Sequence, residues 1–89
     1  MRGPSQIGGV IRAASLNGYK WTEADVSERL RIIDFAVSDS NTTVKRADKS
    51  WIIRNPVITT NQPSINASRG LANLLNGKTP TGTEWDINY

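Results

Sequence analysis

The chain has 89 residues and a formal net charge of +3, and it contains neither cysteine nor histidine. This composition excludes disulfide bonds, zinc sites built from cysteine or histidine, and catalysis that depends on a thiol or an imidazole. A chain of this length forms one small domain with a thin core. We therefore expect association with a partner, or with further copies of itself, to support the fold.

Glycine and basic residues characterise the first 20 residues, which carry three bases and no acid. We interpret 1–20 as a flexible or docking N-terminal arm, in which a short helix over Val10 to Leu16 is the one candidate element. Its apolar segment is too short and too interrupted for a secretory signal, and the chain has no apolar run long enough to cross a membrane. We expect a protein that is not secreted through a signal peptide.

A well-capped helix is predicted to begin at Thr22 and to open a compact α+β core over 21–78. Thr22 is the N-cap candidate, and Asp25 stands three residues later, where its carboxylate can accept a hydrogen bond from the Thr22 amide. Trp21 and Val26 occupy the positions of a hydrophobic staple. Apolar residues at helical spacing then predict three turns with one apolar stripe, made by Val26, Leu30, Ile33 and Val37.

Ile32 and Phe35 lie away from this stripe, Phe35 on nearly the opposite side of the helix. A helix that is apolar on two sides needs a second cover, from a flanking arm or from another molecule. We therefore assign Ile32 and Phe35 to a protein interface. The alternative is that Phe35 packs beneath the C-terminal arm of its own chain.

Two short β-prone runs, "TTVKRA" and "SWIIRN", follow the helix and predict a hairpin or a small antiparallel sheet. A second short helix is predicted after Ser64, a candidate N-cap, with a stop at Asn76 and Gly77. Residues 79–89 read as an extended C-terminal arm. Apolar and polar residues alternate at its end, which indicates a strand that needs a partner edge. The apolar members, also assigned to the protein interface, are Trp85, Ile87 and Tyr89.

The stretch from Trp21 to Ala47 resembles, in part, a DNA-binding helix-turn-helix motif, with Thr22 to Leu30 as the first helix and Val37 to Arg46 as the second. The intervening "RIIDFA" is longer than the usual turn, and a hairpin explains the same residues. Under this alternative interpretation the phosphate contacts come from Lys45, Arg46, Lys49 and Arg54. A weaker variant has Trp21 and Trp51 stacking on single-stranded bases.

Catalytic and cofactor motifs give no support for an enzyme. "GLANLLNGKT" ends like a phosphate-binding loop but lacks two features of that loop, a preceding strand and a glycine at the position of Ala72. Glu84 and Asp86 lie in a polar C-terminal segment without an enclosing pocket. We expect no enzyme activity, no cofactor, no metal and no small-molecule substrate.

Segments of the chain alternate in charge, with five acids and two bases in 21–40 but six bases and one acid in 41–83. Oppositely charged surfaces of this kind suit contacts between copies, or a basic surface for nucleic acid.

Twelve of the residues in 56–89 are Ser, Thr or Asn, a composition that resembles that of phage and viral coat and accessory proteins. The leading interpretation is a non-enzymatic structural or accessory subunit of phage or viral type, located in the virion or the host cytoplasm, whose partner is itself or another protein subunit. The alternative is a small basic DNA-binding regulator with a winged-helix-like core.

Overall fold

Three helices and four antiparallel strands make up the computed structural model, which describes residues 4–38, 40–54, 57–58, 64–80 and 87–88. The strands are neighbours in the order β1-β2-β3-β4. The predicted α+β class is confirmed. The elements in chain order are α1 (Pro4–Ser15), α2 (Glu23–Arg29), β1 (Ile33–Val37), β2 (Asn41–Arg46), β3 (Lys49–Arg54), α3 (Ile65–Leu75) and β4 (Ile87–Asn88).

The start of α2 matches the predicted capping pattern. The Asp25 amide donates to Oγ1 of Thr22 at 3.2 Å, and the Thr22 amide donates to Oδ2 of Asp25 at 2.9 Å. Two of the amides that a helix N-terminus leaves without partners are thereby satisfied. Trp21 and Val26, the staple residues, are both buried.

The end of α2 differs from the prediction, which is wrong here. The helix stops at Arg29 instead of continuing to Val37, and the amide of the C-cap residue Leu30 donates to carbonyls of the last turn. The chain turns through residues 31 and 32 and continues as β1. The expected helix with two apolar sides is therefore a short helix followed by a strand.

Alternation within β1 explains why the strand prevails over the helix. Ile33, Phe35 and Val37 occupy one side of the strand, whereas Asp34 and Ala36 are exposed on the other. Apolar residues at every second position fit a strand with one covered face. Ile33 and Val37, which are four positions apart, also fit one side of a helix. Pairing with β2 over all five positions of β1 supplies the cross-strand partners.

A two-residue turn, Ala47 and Asp48, joins β2 to β3, and Arg46 is paired with Lys49 at the end of the ladder. Ala47 has φ 56°, in the left-handed region that glycine occupies most easily. The predicted hairpin is confirmed. The "TTVKRA" segment that a helix-turn-helix motif would need as a helix lies in β2 and its turn.

The first 20 residues, expected as an arm, contain α1, which begins at Pro4 and packs against α2 and α3. Pro4 suits the first position of a helix because its missing amide would have no partner there. Gly9 lets the helix approach Ile58 closely, since a side chain at this position would overlap the Ile58 carbonyl oxygen. The buried residues that follow on α1 are Val10, Ala13 and Ala14.

Helix α3 begins and ends where the sequence predicts. Ser64 caps it by accepting from the Ala67 amide at 3.0 Å, and Gly77, with φ 79°, follows its C-cap. Its leucines join buried side chains of α1, α2 and the sheet in one core cluster. The strands contribute Ile33, Val44, Trp51 and Ile53 to that cluster.

Candidate functional site

The predicted interface residues Ile32 and Phe35 lie close together in sequence but in different environments. Ile32 occupies the bend between α2 and β1 and is 61% exposed. Phe35 is half-buried on β1, where it lies opposite Val44 and packs against the core. Phe35 therefore packs on the core of its own chain, and Ile32 is the more exposed of the two apolar residues.

Two clefts lie beside β1 and share Asp34 in their walls. The larger, of about 440 Å³, is lined by Ile7, Ser27, Leu30, Arg31 and Asp34. The smaller, of about 290 Å³, is lined by Asp34, Phe35, Ala36, Thr43 and Lys45. We call Ile32, β1 and these two clefts the β1 surface.

Charged side chains, Arg31, Asp34 and Lys45, line the two clefts of the β1 surface. Arg31 forms an exposed ion pair with Glu28 at 3.4 Å, and Asp34 is paired in register with Lys45 across the ladder. An apolar centre with a charged margin is the usual arrangement of a surface that binds another protein.

The C-terminal interface candidates lie elsewhere. Ile87 is in β4 and is paired in register with Ile52 of β3, so the predicted terminal strand adds to the sheet of its own chain. Because β1 and β4 are at opposite ends of the strand order, the structure does not bring Ile87 to the β1 surface. Trp85 and Tyr89 lie outside the described residues.

The residues predicted to bind nucleic acid lie at different positions on the β2–β3 hairpin. Arg46 and Lys49 are directly opposite each other beside the β2–β3 turn, and Arg54 is at the far end of β3, opposite Asn41. Lys45 is exposed on the other face of the hairpin from Arg46, because successive strand residues alternate between faces. These four bases therefore do not form a single cluster.

Arg46 has a structural role that sequence reasoning missed. Its Nη1 donates to the carbonyl of Leu74 at 3.0 Å and to that of Lys78 at 2.8 Å. Its guanidinium lies 5.5 Å from the ring centroid of Trp51, a cation–π distance. Arg46 thereby joins the hairpin to the C-terminal end of α3, where a positive charge is favourable.

Arg29 makes a second contact of this kind at the same end of α3. Its guanidinium is 4.4 Å from the Trp21 ring centroid, and its Nε donates to Oδ1 of Asn76 at 3.3 Å. Trp51 is 1% exposed and Trp21 is 9% exposed. Neither ring offers a free face of the size that stacking on a nucleic-acid base requires.

The contacts of Arg46 bring a further base to the hairpin. Lys78 follows α3 in sequence, and its carbonyl accepts from Arg46. Lys45, Lys49 and Lys78 are exposed, and none of their side chains forms an ion pair with a described residue. No local pattern in the sequence indicates that Lys78 joins this group, because it is 29 positions from Lys49.

Asp25, the carboxyl of the α2 cap, has a lowered pKa. The hydrogen bonds from the Thr22 amide and hydroxyl lower the pKa of Asp25 below its ordinary value of 3.8. Capping accounts for this change without a catalytic role. Within the described residues, no group of three or more acidic side chains is placed to hold a metal ion.

Comparisons with known proteins give no role that could be transferred to this chain. The chain matches no protein-family model, no curated protein and no solved structure. None of the helices in the described part of the chain has the length and apolar character needed to span a membrane. A function must be inferred from the surfaces of the chain itself.

Proposed function

We propose that the protein is a small, non-enzymatic structural or accessory subunit that acts through protein–protein contacts, of phage or viral type. The observation that carries this proposal is the 61% exposure of Ile32, which directly precedes β1 and the clefts beside that strand. The partner we favour is a second copy of the chain, and another protein subunit is the alternative.

Covering Ile32 supplies a driving force for association. Burying a whole isoleucine side chain is worth about 1.5–3 kcal/mol. The exposed part of Ile32 would therefore contribute roughly 1–2 kcal/mol when a partner removes it from water. An interface of modest affinity needs only a few such contacts at its centre.

The clefts give this contact a defined shape. Four residues of the smaller cleft, Asp34, Ala36, Thr43 and Lys45, are on the outer side of β1 and β2, whereas the Phe35 side chain packs against the core on the other side. Asp34, Arg31 and Lys45 line these clefts and provide charges of both signs. A partner with complementary charges would be oriented by these groups.

Composition supports the remaining parts of the proposal. The lack of histidine and cysteine removes the commonest catalytic side chains, which favours a binding role. The polar composition of 56–89 resembles that of phage and viral coat and accessory proteins. The viral assignment rests on that resemblance in style.

Sedimentation velocity on two matched variants tests the interface. Ile32→Asp places a charge at the centre of the β1 surface and should weaken self-association by at least about tenfold, since unpaired charges are strongly disfavoured in an interface. Ile65→Asp is the control, because Ile65 is 52% exposed at the start of α3, where an acidic residue suits the helix. Equal weakening by both variants would contradict the proposal, and a wild-type monomer at every concentration would exclude a second copy as the partner.

A further inference from the structure

The β2–β3 hairpin end carries like charges that the described residues neutralise only in part. Arg46 and Lys49 are directly opposite each other in the ladder, an arrangement that destabilises a sheet. Arg46 is compensated by two carbonyls of the α3 terminus, but Lys49 has no ion pair with any described residue. The repulsion at this position is therefore only partly offset.

Lys78 adds to the same charge excess. The hydrogen bond from Arg46 to its carbonyl fixes the Lys78 backbone beside the hairpin, and the Lys78 side chain is exposed. Asp48, in the turn, is the nearest carboxylate in sequence to Lys49. We call Lys45, Arg46, Lys49 and Lys78 the basic surface. Its four positive charges exceed the two negative charges of Asp48, in the turn, and Asp34, which is opposite Lys45 in the ladder.

The placement of these groups fits an extended anion better than a single small one. Lys45 is on one face of the hairpin, whereas Lys49 and Lys78 are on the side of Arg46 and α3. A duplex nucleic acid presents phosphates along two ridges, and its major groove is wide enough for a two-stranded β-ribbon. Lysines on both faces of a hairpin end can reach phosphates on either side.

We propose that the basic surface binds the phosphate backbone of duplex nucleic acid without reading its sequence. Phosphate contacts position a protein but carry no sequence information, and no described residue is arranged on a recognition helix. This surface differs from the winged-helix interpretation because its parts are a hairpin end and the terminus of α3. It shares Lys45 with the proposed protein contact, whereas Arg46, Lys49 and Lys78 line neither cleft of the β1 surface.

Salt dependence of binding is the measurement that tests this proposal. With three lysines releasing counterions, the slope of log K against log salt for a fluorescent 20-base-pair random duplex should be about −2.7. Affinity should therefore fall about 40-fold between 50 and 200 mM salt. The double variant Lys49→Gln/Lys78→Gln should bind with a slope smaller by about 1.8.

Matched controls distinguish binding by this surface from binding that depends only on the net positive charge of the protein. The double variant Lys20→Gln/Arg69→Gln removes two exposed bases outside the basic surface and should keep the wild-type slope. Equal effects of the two double variants, or no binding at 50 mM salt, would overturn the proposal. Polyglutamate that binds as tightly as the duplex would also overturn it, in favour of an acidic protein partner.

Thermal unfolding gives a second, independent readout. Removing Lys49 relieves the repulsion with Arg46, so Lys49→Gln should raise the melting temperature by roughly 1–4 °C while weakening duplex binding. A lowered melting temperature would show that Lys49 stabilises the fold. The partly offset repulsion would then no longer support a binding role.

Discussion

At the scale of single residues, two adjacent glycines of α1 have different surroundings. A side chain at Gly9 would overlap the carbonyl oxygen of Ile58 and lie 2.6 Å from its Cγ2, whereas a side chain at Gly8 would meet nothing within 4 Å. Gly9 is therefore required by packing. Gly8 only weakens the helix through its conformational freedom.

We predict that Gly9→Ala destabilises the protein by about 1–3 kcal/mol, because α1 must move away from Ile58 to accommodate the methyl group. Gly8→Ala is the control and should stabilise the protein by roughly 0.5–1 kcal/mol. Urea unfolding followed by circular dichroism measures both. Equal effects of the two substitutions would mean that α1 does not pack on Ile58 as described.

The sequence predicts phosphate contacts for Arg46, but in the structure Arg46 joins the hairpin to the C-terminal end of α3. We predict that Arg46→Ala lowers stability by roughly 1.5–3 kcal/mol, the value of hydrogen bonds to a charged group, because two carbonyls at the end of α3 lose their donor. Lys49→Ala, its neighbour across the ladder, should not lower stability. A melting temperature unchanged by Arg46→Ala would contradict the structural role of Arg46. Arg46 would then be interpreted as a base available for phosphate contacts, as the sequence predicted.

At the scale of secondary structure elements, α2 depends on its N-terminal cap. The folded-state pKa of Asp25 is lowered, chiefly by the Thr22 amide, so the unfolded chain binds a proton there before the folded protein does. The stabilising effect is complete above the ordinary value of 3.8 and is lost as the pH falls through the lower folded-state pKa.

We predict that the wild type loses more stability than Asp25→Asn when the pH falls from 5 to about 2.5, because only the wild type loses a carboxylate cap. Denaturant titrations at several pH values within this range measure the difference. Parallel loss of stability in both proteins would show that the Asp25 carboxylate does not support α2.

Elements with a local chemical signal could be predicted from the sequence. The caps at Thr22 and Ser64 and the stop near Gly77 depend on residues within one turn, and each is found in the structure. The prediction of a helix continuing to Val37 is wrong because Ile33, Phe35 and Val37 fit two periodicities at once. Pairing with β2, a contact distant in sequence, decides between them.

The candidate sites show the same division between local and distant contacts. Sequence reasoning identified Ile32, Lys45 and Lys49 as surface residues, and all three are exposed. It missed Lys78 and the roles of Arg29 and Arg46, because those roles depend on the C-terminal end of α3 lying beside α2 and the hairpin.

At the scale of the whole molecule, the two proposed surfaces share Lys45 but are centred on different parts of the sheet. The β1 surface is at one end of the strand order, and the basic surface is at the turn between β2 and β3. A subunit with both could associate through β1 while its hairpin ends face a nucleic acid. This arrangement would suit a protein that assembles beside a packaged or bound duplex.

The measurement that tests the central proposal most directly is amide hydrogen exchange of the wild type at low and high protein concentration. Association through the β1 surface should slow exchange at residues 31–36 when the concentration is raised, with little change in β4. Unchanged exchange at residues 31–36, or protection confined to another part of the chain, would contradict the β1 surface as the site of contact between copies.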